Sequence, residues 1–347
     1  MGKSILVYIQ AYNAEKVVHR AIESILSQTY DNFICWVCDN GSNDKTMEVI
    51  KKYALRDRRI IPFFNEKNDT HTLFKRFLPM IINNYSSSVD WFCNLDADDE
   101  YDPDFFEKII SFVSENQLDV ATCGTNWVSE KTQKIIRRKL IDESIILEGR
   151  EFAEYFPIYR NFMVTIWGAI YSLDLLEKCS FEWSKNAINF GDTAFVMEAF
   201  QKSKRAGILA ECLHKYNIMP ETGSYQFNPD WFKACKYIHK ISTDYLLDYG
   251  EISKQNQDYL CVLYLILIKY ILPRIQSADV NLLEKLKCLD EIFSDKSTQH
   301  ILKNWHQVGI YSDRGEFLSD ILGWIKSQDG WEKECSTVEK IASFMNI

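Results

Sequence analysis

Asp90-Trp91-Phe92-Cys93-Asn94-Leu95-Asp96-Ala97-Asp98-Asp99 is a largely apolar run that ends abruptly in three carboxylates. Val89 to Leu95 is short and rich in aromatic and apolar residues, the pattern of a buried strand. Asp96, Asp98 and Asp99 then fall at its carboxyl end, where open α/β sheets bind their ligands. Carboxylates this close repel one another unless a cation or a proton intervenes. A hard divalent ion with oxygen ligands, Mg²⁺ or Mn²⁺, resolves that repulsion. A plain strand-to-helix loop is the alternative, because Asp102-Pro103-Asp104 has the composition of a helix cap and first turn.

Working outward, the first hundred residues alternate strand and helix. Ser4–Gln10, Phe33–Cys38 and Arg59–Phe64 read as strands, with Pro62 placing the third near a sheet edge. A helix follows the first strand, with Asn13 as its candidate cap and Val17, Val18, Ala21, Ile22, Ile25 and Leu26 on its apolar side. A second spans Lys45–Leu55, and a third Leu73–Asn84, kinked at Pro79. Such alternation predicts crossover units and a mostly parallel sheet. The turn after the first strand, Gln10 to Glu15, has no glycine, which excludes a glycine-rich dinucleotide cradle there.

Composition narrows the class. The 347 residues carry a net charge of −9, against a broad nucleic-acid-binding surface. The ten cysteines show no metal-site pattern. Cys35-Trp36-Val37-Cys38 falls inside a strand pattern, so the cysteines read as reduced, mostly buried thiols of a cytosolic protein. Ile5–Ile9 is too short for a signal peptide. Arg137-Arg138-Lys139 reads as a solvated strand edge.

Four motifs now stand in order: Ala11-Tyr12-Asn13-Ala14-Glu15, Ser24-Ile25-Leu26-Ser27-Gln28-Thr29-Tyr30, Asp39-Asn40-Gly41-Ser42-Asn43-Asp44 and Leu95-Asp96-Ala97-Asp98-Asp99. Together they resemble the family 2 glycosyltransferases, the GT-A class that uses nucleotide sugars. The resemblance runs on through Ile166-Trp167-Gly168-Ala169-Ile170-Tyr171, like the family's aromatic strand near the acceptor, and Phe190-Gly191-Asp192-Thr193, like its Glu-Asp motif. It covers residues 4 to 217. It implies a GT-A fold: a Rossmann-like, mostly parallel α/β sheet flanked by helices. The expected division is a catalytic domain over 1–222 and a C-terminal helical subdomain over 223–347.

The resemblance also implies roles. Ala11, Tyr12, Asn13 and Glu15 would lie against the base and ribose of a nucleotide sugar, expected to be UDP-linked. Asp39 would contact uracil or ribose, with Asp96 and Ala97 nearer the sugar and ribose. Asp98 would ligate Mn²⁺ or Mg²⁺, with Asp96 and His214 as further ligands. Asp192 would be the general base of an inverting transfer, although an N-cap role for it also fits the sequence. The chain departs from the pattern at Gln10, where the family has Pro, at Asn40, where it often has Asp, at Gly191, where it has Glu, and over Asn68–Arg76.

The expected acceptor is a glycan or lipid-linked hydroxyl, as in cell-surface polysaccharide synthesis. The expected place is the cytoplasm or the inner face of the membrane, with at most peripheral contact. Two rivals remain: a sugar-nucleotide pyrophosphorylase, which wants a basic glycine-rich first loop, and a non-catalytic nucleotide- or glycan-binding protein that kept the fold. Beyond Tyr225, helices are expected at Trp231–Leu247, Gln255–Ile271, Leu282–Phe293, Ile301–Val308 and Gly315–Ser327. The run Leu260–Ile268 is too short to span a bilayer and is expected in a buried helix or a homodimer seam, with Pro273 ending or kinking that helix.

Overall fold

A computed structural model describes residues 3–69, 71–85, 88–186, 190–219, 227–304, 314–331 and 335–344. The chain divides into two units, Met1–Met219 and Pro220–Ile347. The boundary expected at 222/223 lies outside the described residues.

The first unit is built on one sheet. Its strands are β1 (Ile5–Ala11), β2 (Phe33–Asn40), β3 (Ile60–Asn65), β4 (Trp91–Asp96), β5 (Glu100–Tyr101), β6 (Val120–Ser129), β7 (Ile135–Lys139), β8 (Ile145–Glu148), β9 (Ala169–Ser172) and β10 (Arg205–Ile218). They lie in the order β3-β2-β1-β4-β9-β6-β10-β5, with β7 beside β6 and β8 beside β10. The first four run parallel, as the alternation requires, and β6 is parallel to β10. β9 is antiparallel to both β4 and β6 and joins the two halves. This is the GT-A arrangement. Pro62 is on β3, the outermost strand, where a missing N–H costs least.

Helices α1 (Val18–Leu26), α2 (Thr46–Arg56), α3 (Leu78–Tyr85) and α4 (Phe105–Asn116) connect the first strands. Val18, Ala21, Ile22 and Ile25 of α1 are fully buried against the sheet, together with Phe105, Phe106 and Ile109 of α4. No side-chain cap starts α1, because Asn13 is used elsewhere. Pro79 does not kink a helix. Leu73–Phe77 is instead a π-helical turn in which the Leu78 N–H reaches the Leu73 carbonyl, and α3 starts one residue before the proline. Widening the preceding turn accommodates a ring that has no N–H to give. Short helices α5 (Glu151–Glu154), α6 (Phe156–Tyr159) and α7 (Leu173–Leu176) precede α8 (Gly191–Lys202).

Cys35 and Cys38 are three residues apart on β2, so their side chains leave opposite faces of the sheet and cannot pair. Both are buried, and burial raises both thiols, Cys38 to about 11. Cys35, Cys38, Cys93, Cys123 and Cys235 are free and buried, and Cys179, Cys212, Cys261 and Cys288 are free and partly buried.

The second unit contains α9 (Trp231–Leu247), α10 (Lys254–Ser277), α11 (Leu282–Ser294), α12 (Lys296–Lys303), α13 (Arg314–Lys326) and α14 (Cys335–Ser343). Most of these match the expected helices; residues 305–313, including Trp305, are outside the described set. α10 runs through Pro273 to Ser277. At 24 residues it is long and apolar enough to cross a membrane, and 56% of its apolar window is buried within the protein.

Candidate active site

The site is assembled at the carboxyl ends of β1, β2 and β4. The first loop and the turn after β2 close on each other. Asn13, at a positive φ of 49°, accepts from the Asn43 N–H through Oδ1 at 2.9 Å, and its own N–H donates to Ser42 Oγ at 2.9 Å. Glu15 Oε2 accepts from the Lys45 N–H at 3.0 Å, and Thr46 Oγ1 accepts from the Ala14 N–H at 2.7 Å. Asn13 and Glu15 therefore hold the two loops together. Ala11 ends β1 fully buried, and Tyr12 is exposed beside it. Asp39 is buried and accepts from the Ser42 N–H at 3.1 Å, an Asx-type turn that uses one of its oxygens.

Asn40 explains one departure from the family pattern. It is fully buried and donates to Asn68 Oδ1 at 2.8 Å and the Asp69 carbonyl at 2.9 Å. It accepts from Asn65 Nδ2 at 2.8 Å and Thr72 Oγ1 at 3.1 Å. An aspartate has no donors for the first pair, so the amide belongs with this chain's own loop over 65–72. Gly41, at φ 79°, lies where a Cβ would come within 2.7 Å of the Lys67 carbonyl carbon.

The second motif also proves structural. Gln28 is buried and donates to the Asp102 carbonyl at 2.7 Å while accepting from the Phe106 N–H at 2.9 Å. Ser24 Oγ accepts from the Tyr101 N–H at 3.2 Å. Together they clamp the segment that follows the carboxylates to α1.

Asp96 is the last residue of β4, paired with Gln10 of β1. One oxygen each from Asp96, Asp98 and Asp99 lies within 4.8 Å of the others. Burial, then the charges of Asp98 and Asp192, push the Asp96 carboxyl up to about 8. Burial raises Asp98, partly offset by Arg20, which is itself bonded to Glu130 at 2.9 Å. Asp99 is completely buried; burial and then its two acidic neighbours hold its carboxyl well above the usual range.

His214 stands behind Asp99 on β10, with Nε2 3.4 Å from Asp99 Oδ2 in a geometry that makes no hydrogen bond. Burial, then Lys139, keeps its imidazole neutral. Asp99 Oδ2 and both ring nitrogens of His214 are buried without a partner. Trp167, in the turn before β9, stacks on that imidazole at 4.2 Å between centroids. The sequence placed Trp167 inside the strand, but Gly168 at φ 70° turns the chain so that the ring folds back over His214.

Asp192 is the second residue of α8. Phe190, in the left-handed region, occupies the cap position, so Asp192 is not the N-cap. Burial raises its carboxyl to about 6. Its charge is felt at Asp96, so the two carboxylates lie near each other. Gly191 is packed under aromatic rings: a Cβ there would lie 3.3 Å from Trp183 and 3.5 Å from Phe74. The family's glutamate would have to push Trp183 aside. Trp183 is in turn held by Glu198 of α8, through Nε1 at 2.9 Å.

Asp99 belonged to the carboxylate cluster read from the sequence but was given no separate role there; Thr125 and Lys139 were not singled out as site residues, because what buries them comes from distant parts of the chain.

The comparisons agree with this geometry. The sequence profile described as Glycosyl transferase family 2 matches residues 6–179, half of the chain. An uncharacterized glycosyltransferase of Haemophilus influenzae is 26% identical over 334 residues, covering 87% of this chain and 96% of that one. The uncharacterized glycosyltransferase YibD of Escherichia coli is 21% identical over 322 residues, 88% of each chain. Among solved structures, residues 1–349 of S. aureus TarS superpose with a TM-score of 0.61 at 14% identity, covering 99% of this chain and 90% of that one. The profile match, carried by the loops and strand ends just described, settles the class: the chain belongs to glycosyltransferase family 2 and is a glycosyltransferase of GT-A fold.

Proposed function

We propose that the chain moves a sugar from a nucleotide diphosphate sugar, UDP-linked, to an acceptor hydroxyl, with inversion and with the help of Mn²⁺ or Mg²⁺. The observation that carries the metal is the set of unpartnered buried atoms at Asp99 and His214 beside the close oxygens of Asp96 and Asp98. Three carboxylates raised by burial and one neutral imidazole fit a divalent cation better than they fit each other. Asp98, Asp96 and His214 would hold it, with Asp99, the third carboxylate of the cluster, as a fourth candidate. A cation there offsets charge building on the leaving diphosphate. The nucleotide follows the family: TarS has been solved with UDP-GlcNAc at a TM-score of 0.61 to this chain.

In this reading the buried Asp39 carboxylate meets the uracil or ribose, and Tyr12 closes the nucleotide end, with Ala11, Asn13, Glu15 and Ala97 as loop backbone around it. Asp192, raised to about 6, is poised to accept a proton from the attacking hydroxyl near neutral pH. The acceptor is a glycan or a lipid-linked glycan met in the cytoplasm or at the inner membrane face, as in polysaccharide synthesis. The helices of the second unit are the candidate homodimer seam. A binding protein without turnover is the reading to beat.

The decisive test is Asp98→Asn with UDP binding measured by calorimetry with and without Mn²⁺. Loss of the Mn²⁺ dependence, with thermal stability without ligand unchanged, is the expected result. Unchanged metal dependence would return Asp98 to an ordinary loop role.

A further inference from the structure

The run Arg137-Arg138-Lys139 is not the solvated edge its composition suggests. β7 does pair with β6 alone, and Arg137 and Arg138 are exposed. Lys139, however, is only 5% exposed. Its ammonium lies 5.1 Å from the ring centroids of both Phe162 and Trp167 and 5.9 Å from that of Trp127. Among the described residues no carboxylate pairs with it and no acceptor bonds its Nζ. Three rings offset part of the cost of burying a cation, but they accept none of its three N–H bonds in the ordinary way.

Register puts this lysine on the face of the acidic cluster. His214 of β10 is opposite Thr125 of β6, and Thr125 is opposite Lys139 of β7. Tyr216, Trp127 and Arg137 form the next such row, two residues along. Directly opposed residues on neighbouring strands share a face. Trp167 lies across both rows, 4.2 Å from His214, 5.6 Å from Tyr216 and 6.3 Å from Trp127. Arg137 stacks on Trp127 at 4.9 Å. Thr125 Oγ1, between Lys139 and His214, is buried with no partner. Burial, with Arg137 adding to it, pushes the Lys139 ammonium down to about 8, so a bound anion would also hold its proton in place.

We propose that this face is an acceptor subsite that binds a glycan through an anionic group, a phosphate or a carboxylate, held by Lys139 and Arg137 with the sugar against the partly exposed Trp127 and with Trp167 buried behind as its support. Aromatic faces take the apolar side of a sugar ring, and the two cations with the free hydroxyl of Thr125 supply the donors an anion needs. The face lies beyond the metal cluster from the first loop, where the nucleotide is placed. The proposal rests on the transfer reading for the word acceptor alone.

The test titrates the full chain with three matched disaccharides, one neutral, one bearing a 6-phosphate and one a uronate, by ligand-observed NMR. At least one anionic probe should bind about 10- to 100-fold tighter than the neutral one. Lys139→Met, which keeps length and packing, should remove that gap, and Lys139→Arg should keep most of it. The phosphate and uronate arms say which anion the face prefers. Equal binding of the three probes, or a gap that survives Lys139→Met, overturns the proposal; folding of each variant is checked by its melting temperature, and if the methionine variant unfolds, Arg137→Gln on the exposed second cation carries the test, where an unchanged gap overturns the proposal. Turnover of nucleotide sugars is measured separately. Charge-selective binding by a chain that turns over none of them would defeat the transfer reading and leave this one standing.

Discussion

The two halves of the sheet treat polar side chains in opposite ways. At the ends of β1 and β2, Asn13, Glu15, Asp39 and Asn40 are bonded to neighbouring loop backbone and side chains. Around β4, β6 and β10, Asp99, Thr125 and His214 keep buried atoms with no partner. Buried polar groups are costly to leave unmatched. The first half is a finished structure with one spare carboxylate oxygen at Asp39. The second keeps unmatched atoms at Asp99, Thr125 and His214, the ones that the proposed cation and acceptor would partner.

The largest effect that tests this contrast is at Asp192. Asp192→Asn keeps shape but cannot take a proton, and Phe190 rather than Asp192 holds the cap. Transfer should fall by roughly 10²–10⁴-fold, with UDP and Mn²⁺ binding as before. Near-normal turnover would move the base to another carboxylate.

Next is Asp39, the exception in the closed half. Asp39→Asn keeps an oxygen for the Ser42 N–H but removes the charge. UDP affinity should drop by about 1.5–3 kcal/mol, read by calorimetry, with little change in melting temperature. If stability falls and UDP affinity does not, Asp39 belongs wholly to its turn.

Asn40→Asp probes the closed half itself. It removes two buried donors and should destabilise the protein by about 1–3 kcal/mol, seen in denaturant titration. No loss would mean that the 65–72 loop finds other partners.

The last and smallest effect is a pH slope. Asp96 is raised in the folded protein to about 8 from an ordinary value of 3.8, so between those limits the native state binds more protons than the unfolded one. Stability of the ion-free protein therefore falls as pH rises through that window, by about 1.4 kcal/mol per pH unit for each proton the native state holds in excess, and Asp98, Asp99 and Asp192 are raised in the same direction. Melting curves at pH 5, 6.5 and 8 should show the fall, Mn²⁺ should reverse it most at pH 8, and Asp96→Asn should make it shallower.

The same contrast decides what the sequence revealed. The parallel half was legible because each βα unit carries its pattern within about thirty residues, and Asp39, Asp96 and Asp98 sit at or just past the carboxyl ends of the strands that position them. Lys139 was misread because alternation on an edge strand says nothing of Trp127, Phe162 and Trp167, which come from three other elements to cover it. Pro79 was misread because a π-helical turn has no signature that separates it from a kink. Gly191 looked like a missing glutamate until Trp183 was seen above it.

That ring has a mechanical consequence. Trp183 rests on the first residue of α8, and Glu198, two turns along the same helix, grips the Trp183 indole and the N–H groups of Ser180 and Phe181. The segment over 180–183 and the helix that carries Asp192 are thus riveted at two points. Lifting the indole therefore breaks its bond to Glu198 and uncovers Gly191, and both losses fall on the helix that carries Asp192.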